Sequence, residues 1–272
     1  MPGETHPTEP PIRALNELIR RAGAPDAMRS DLPAWLRAQG VDGDDLDALV
    51  SVGADRLLLY RRMVHSRLRN TIRDFIPRAA ARLEQRYAGF VETWMDDQAA
   101  TTPYLRDVPE QFVRWAVPRW EDDSEVPDYI PCLARHELLQ LDVRNDPNGG
   151  ESQTGNAVAL DRPLRFDGAA RRVDYAYAVH KLSADVEDRG EPDKVPTSLL
   201  VYRDETSKPR YLELTTFAAA LLDRLHGHGE ALQPALGAAC AQLGEPLDDD
   251  KLSQAALLLA DLAERGVMLG AE

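Results

Sequence analysis

A change of hydrophobic period divides this chain in two. Up to Val143 the apolar residues recur at helical spacing. Ile12, Leu15, Leu18 and Ile19 share one face of a helix over residues 12–21. Leu58, Leu59, Met63, Val64 and Leu68 do so within 55–70, and Leu83, Tyr87, Phe90, Val91 and Trp94 after Pro77. Ser30-Asp31 before Leu32-Pro33 reads as a helix start, and two more helices are predicted over 110–120 and 130–143. Residues 145–155 are dense in Asn, Asp, Pro and Gly, which close turns. Beyond them the period becomes two. Residues 172–182 alternate Val173, Tyr175, Tyr177 and Val179, and 157–166, 197–203 and 210–215 also read as strands. Helices before a turn cluster and strands after it predict an α+β fold. The expected layout is a proline-rich mobile tail over 1–11, an all-helical domain over 12–145, a linker over 146–156 and a winged-helix-like domain over 157–272.

The last part of the chain carries the clearest candidate site. Leu212 and Leu214 alternate with Tyr211 and Glu213, as a half-buried strand requires. Thr215 or Thr216 caps a helix carrying Phe217, Leu221, Leu222 and Leu225, which stops near Gly227 or Gly229. A second helix over 231–243 ends at Gly244. Asp248, Asp249 and Asp250 precede a third, with Leu252, Ala255, Ala256, Leu259, Leu262 and Ala263 on one side. The result is a three- or four-stranded antiparallel sheet followed by three helices, with one sheet edge open. Unpaired N–H and C=O groups on such an edge accept an extended peptide as an added strand. Tyr211, Leu212, Glu213 and Leu214 are the expected peptide-binding edge. Leu257 lies opposite the apolar side of the third helix, and either lines the peptide groove or packs on the helical domain.

Charge narrows the partners. The net charge is -14 and the pI about 4.9, a balance that opposes non-specific binding to nucleic acid or anionic membrane. Yet residues 55–87 hold nine arginines against Asp55, Asp74 and Glu84, a local surplus of +6 that leaves -20 elsewhere. Those arginines either hold DNA phosphates, dock an acidic enzyme surface, or pair within the chain. Arg61, Arg62 and Arg69 are the expected partner-enzyme interface, with Tyr60 and Arg61 alternatively structural. Two cysteines without a Cys-x-x-Cys pair, an N-terminus without a signal-peptide pattern and no bilayer-length apolar run lead us to expect a cytoplasmic protein with no membrane partner.

No catalytic constellation stands out, so no catalytic residue, metal site or cofactor is expected in this chain. His136-Glu137-Leu-Leu-Gln140 lacks the second histidine of the metalloprotease helix. His226 and His228 sit where a helix C-terminus favours histidine, without further ligands nearby in sequence. His180 is expected to be structural or at the rim of a strand. Nucleophile-elbow, phosphate-loop and dinucleotide-loop patterns are all missing.

Two resemblances refine this. The strands near 173–182, 197–203 and 210–215, with Leu212-Glu-Leu-Thr, the helix over 217–225 and the closing Leu259-Ala-Asp-Leu-Ala-Glu-Arg-Gly-Val267, resemble the precursor-peptide recognition element of ribosomally made, modified peptide pathways. That resemblance implies leader-peptide capture at the sheet edge and the third helix. In the helical half, Arg56-Leu-Leu-Leu-Tyr60-Arg61-Arg-Met-Val64, Phe75-Ile-Pro77, Phe90-Val91, Pro103-Tyr-Leu-Arg-Asp-Val-Pro-Glu-Gln-Phe-Val113 and Leu133-Ala-Arg-His-Glu137 resemble a bacterial family long labelled DNA-binding. Its members are partner proteins of multinuclear non-heme iron oxidases. Here an isoleucine separates Phe75 from Pro77, and His136 stands where the family usually has leucine. The resemblances together imply a non-catalytic subunit that binds the leader of a precursor peptide and presents it to such an oxidase in a heterodimer, the iron belonging to the partner. The alternative is a DNA-binding transcriptional regulator using the 56–86 face.

Overall fold

The computed structural model describes residues 9–272. Residues 1–8 of the expected tail lie outside the described residues, while Pro10 and Pro11 open the first helix, where a missing N–H costs nothing. Two compact units form, one ending at Asp128 and one running from Tyr129 to Glu272.

The first unit is helical: α1 (Pro10–Arg20), α2 (Ala24–Ser30), α3 (Leu32–Ala38), α4 (Gly43–Val52), α5 (Ala54–Phe75), α6 (Pro77–Arg82), α7 (Gln85–Asp97) and α8 (Val108–Glu121). Asp31 caps α3, its carboxylate accepting the Ala34 N–H at 2.9 Å. The helix expected after Pro77 is two helices, because Glu84 takes a left-handed φ of 51° between α6 and α7. One cluster is aliphatic and joins α1 to α5 through Leu18, Met28, Leu36, Leu57 and Leu58. Phe112 on α8 centres an aromatic group, with Trp94 at 5.7 Å, Trp120 at 5.9 Å and Tyr87 at 6.3 Å in edge-on contact. The buried face of α5 is Leu57, Leu58, Leu68, Thr71 and Ile72, whereas Leu59 and Met63, expected on the same face, are exposed.

The second unit starts with α9 (Ile130–Asn145), which packs against strands of its own unit. The helix expected to close the helical domain is therefore one layer of the β-containing unit. A three-stranded antiparallel sheet runs in the order β2 (Arg171–Tyr175), β3 (Thr197–Arg203), β4 (Pro209–Leu214). A separate antiparallel pair joins β1 (Leu164–Phe166) to β5 (Met268–Ala271). The strands expected over 157–166 and 172–182 are thus shorter, and the second gives way to a 3-10 turn at Val179–Lys181. β5 carries no period-two signal of its own. Gly270 there adopts φ 120°, and a Cβ on it would lie 2.3 Å from Thr154 Oγ1, so the chain before β1 packs directly on this strand.

The 145–156 stretch is an ordered part of this unit. Asp167 accepts the Gly150 and Ala169 N–H groups at 2.6 and 2.9 Å, Thr154 N–H donates to Leu269 O at 2.8 Å, and Arg171 pairs with Asp146. Its turn residues satisfy polar backbone that a free linker would leave to water.

After β4 come α10 (Thr216–Leu222), a π-helical turn at Asp223–Gly227, α11 (Leu232–Leu243) and α12 (Asp249–Glu264). Thr215 caps α10 and Asp248 caps α12, accepting the Ala218 and Lys251 N–H groups, while Gly244 ends α11 at φ 68°. These helices cover one sheet face. Leu200 and Tyr202 from β3 enter the same cluster as Leu221, Leu225, Leu236, Leu259 and Leu262. Each such leucine contributes roughly 1.5–3 kcal/mol by leaving water.

Candidate functional site

The β3–β4 hairpin fixes which backbone groups of β4 face β3 and which point away from it. Its tight end is closed by Asp204 N–H donating to Lys208 O at 2.9 Å and Ser207 N–H to Asp204 O at 2.8 Å, with Ser207 left-handed at φ 58°. Antiparallel ladders alternate bonded and non-bonded pairs. Counting from Asp204–Lys208, the pairs Tyr202–Arg210, Leu200–Leu212 and Ser198–Leu214 are bonded, while Arg203–Pro209, Val201–Tyr211 and Leu199–Glu213 are not. The N–H and C=O groups of Tyr211 and Glu213 therefore point away from β3. Pro209 sits at a position where its missing N–H costs the ladder nothing.

Two edges exist where one was expected, since β2 and β4 each pair only with β3. They differ chemically. β2 is five residues long and bears Arg171 and Arg172, whose guanidinium groups pair with Asp146, Asp174 and Asp223. Charge on a short strand blunts an edge against pairing. β4 presents Tyr211, Leu212, Glu213 and Leu214, after Arg210, which pairs with Asp204 in the turn.

Side chains along β4 alternate between two walls. Leu212 and Leu214 are half-buried against the cluster under α10–α12. Tyr211 and Glu213 point to the face covered by α9. There the His136 ring lies 5.0 Å from the Tyr211 ring and 5.4 Å from that of Tyr175, whose hydroxyl is 3.3 Å from His136 Nδ1. Burial pushes the Tyr175 phenol well above its ordinary range, so it stays protonated. Glu137 is 5% exposed on α9 of the second unit. His180 is not in a strand. It lies in the 3-10 turn and sits 2.7 Å from the Glu213 carboxylate, with Lys181 at 3.0 Å. The His180 hydrogen bond, followed by that of Lys181, holds the Glu213 carboxyl below its ordinary range. Beside it Val195, Pro196, Thr197 and Leu214 line a cavity of about 150 Å³.

Leu257 stands apart from this strand. The stripe of α12 that packs inward is Ala255, Leu258, Leu259 and Leu262. Leu252, expected in it, is 44% exposed, and Leu257 projects from the outer face at 73%.

The three arginines expected at an enzyme interface have different fates. Arg61 is committed inside its unit: its guanidinium donates to the carbonyls of Leu18, Ile19 and Arg21 at the end of α1 and to Asp96 on α7 at 3.1 Å, with the side chain 12% exposed. That is a structural clamp, the alternative left open from sequence. Arg69 faces Glu92 at 3.8 Å and is partly covered, and Arg62 is exposed. The basic run is not one exposed face either, since Arg78 and Arg82 are buried and Arg86 pairs with Asp123.

His226 packs edge-on against Phe166 at 5.2 Å, and burial lowers its pKa below the ordinary histidine range. His228 is 3.6 Å from Asp223. Among the described residues, no three His, Cys, Asp or Glu side chains converge as a metal site would need, and no helix is long and apolar enough to cross a membrane.

The second unit is thus a winged-helix-like module whose three-stranded sheet has β2 and β4 as its outer strands. Residues 169–263, from just before β2 to nearly the end of α12, match the family model described as the HvfC C-terminal domain. The match links this unit to the HvfC family. No curated protein matches the sequence.

Proposed function

We propose that this chain is a non-catalytic partner subunit that captures the leader of a ribosomally made precursor peptide along β4 and presents it to a multinuclear non-heme iron oxidase. The observation that carries the reading is the alternation of the β3–β4 ladder, which turns the backbone N–H and C=O groups of Tyr211 and Glu213 away from β3 on an outer strand of the sheet. Glu213, with its N–H and C=O turned this way, can pair with an incoming antiparallel strand. The walls on either side, aromatic at Tyr211 and aliphatic at Leu212 and Leu214, would read alternate side chains of that strand. The match of residues 169–263 to the HvfC C-terminal domain supports an accessory partner role. The helical motifs around Tyr60 and Pro103–Val113 support an oxidase as the partner by resemblance. In this division of labour the oxidase owns the iron, and the subunit raises turnover by raising the effective concentration of peptide.

The test uses the purified full chain, a synthetic leader from the precursor encoded beside its gene, and the oxidase encoded with them. Leader binding by the chain alone, and peptide oxidation that requires both proteins, are expected. Iron held tightly by this chain alone, or oxidation without a second protein, would sink the proposal.

A further inference from the structure

The first unit carries an apolar stripe that its own core does not use. On α5, Leu59 is 48% exposed, Tyr60 45% and Met63 62%. At 100° per residue they fall in one sector of the helix, opposite the buried Leu58, Leu68 and Ile72. Arg56 and Arg67 lie in the same sector, one turn before and one turn after, and Arg62 flanks it; all three are exposed. Tyrosine, methionine and arginine are the residues enriched at the centres of protein interfaces. A solvated helix face has no need of three large apolar side chains in a row.

Charge decides what covers the stripe. In an antiparallel two-fold pairing of this helix with itself, centred between Tyr60 and Met63, Arg56 of one copy faces Arg67 of the other. A parallel pairing sets each arginine against its own counterpart. Both juxtapose like charges beside a desolvated centre, which costs binding energy. Nucleic acid is a poor fit as well, because phosphates gain nothing from Leu59 and Met63 at the middle of the patch.

We infer that the α5 stripe is the docking surface for a different folded protein, one presenting an apolar patch flanked by carboxylates. Within the presenting role it assigns the partner contact to this helix, and it rests only on that role's need for a protein partner, not on the peptide site. Arg61 does not take part, being bound to α1 and α7.

The test uses the full chain in its native host, with the photo-crosslinking residue benzoylphenylalanine placed at position 63 and, as a control, at the exposed position 254. The expected result is one protein crosslinked from position 63 and not from 254, identified by mass spectrometry. That protein, purified, should bind the wild-type chain with an affinity that falls as salt rises. It should bind Met63→Glu, and the double variant Arg56→Glu with Arg67→Glu, at least about tenfold more weakly. Tryptophan fluorescence checks that the variants remain folded, and their leader-peptide affinity should be unchanged. Crosslinking only to a second copy of this chain, no specific crosslink, or variants that bind as tightly as wild type would each overturn the inference. A specific partner that is not an iron oxidase would leave the α5 surface standing and remove the oxidase-presenting role.

Discussion

His136 on α9 sets its ring 5.0 Å from that of Tyr211 on the outer strand of the sheet. This contact fixes one wall of the candidate peptide site, because Tyr211 is one of the β4 residues whose backbone groups point away from β3. α9 thereby supports the edge strand from one face of the sheet. An added strand would meet a preorganised surface, and little ordering entropy would oppose its binding.

Alternation along β4 separates two proline substitutions. Glu213→Pro removes an outward N–H and spares the ladder to β3, so the protein should stay folded and bind the leader at least about tenfold more weakly. Glu213→Ala keeps that N–H and should bind nearly normally. Leu212→Pro removes an inward donor to Leu200 and should destabilise the second unit by about 1–3 kcal/mol. Calorimetric titration and thermal melts distinguish the three. Leader affinity unaltered in Glu213→Pro would exclude β4 as the acceptor edge.

Leu257 tests the third helix without risk to the core. At 73% exposure, Leu257→Asp should leave the melting temperature within about a degree of wild type, as surface changes usually do. If the outer face of α12 lines the groove, leader affinity drops severalfold. Unchanged affinity assigns the site to β4 alone.

Arg61→Ala should destabilise the first unit by at least about 2 kcal/mol, since charge-assisted bonds to the α1 carbonyls and Asp96 are lost together. All four tryptophans of the chain, Trp35, Trp94, Trp115 and Trp120, lie in this unit, so their fluorescence in urea reports its unfolding. A loss below about 0.5 kcal/mol would mean that Arg61 is not a clamp.

Stability of the same unit should fall in mild acid. His65 donates its Nε2–H to Ile19 O at 2.9 Å, and burial, the leading cause, lowers its pKa below the ordinary 6.5. Above about pH 6.5 the imidazole is neutral in both folded and unfolded chains and contributes no pH dependence. Below it the unfolded chain takes up the proton first, so stability declines until the pH passes the folded-state pKa, where the loss levels off. Urea midpoints followed by tryptophan fluorescence should drop over that range, and less so in His65→Gln. Identical pH profiles for the two proteins would assign the acid sensitivity elsewhere.

Local chemistry in the sequence determined the α+β class, the helix starts at Ser30-Asp31, at Thr215 or Thr216 and after the Asp248–Asp250 run, the stop at Gly244 and the edge strand through Leu214, because each depends on neighbours a few residues away. Tertiary packing decided the rest. α9 has apolar residues on several sides and no sequence sign of which unit it covers, and only its fit on β3 and β4 places it. Leu59 and Met63 match the helical period as well as Leu58 and Leu68 do, and only the packing of other helices on one side of α5 leaves them in solvent. Arg61 reads from sequence either as interface charge or as a structural residue, and only the end of α1 beside it, offering its carbonyls, decides between the two. β5 is four residues long and is a strand only because β1 lies alongside. Hydrophobic period reports that a face is apolar, whereas burial depends on what the rest of the chain brings to that face.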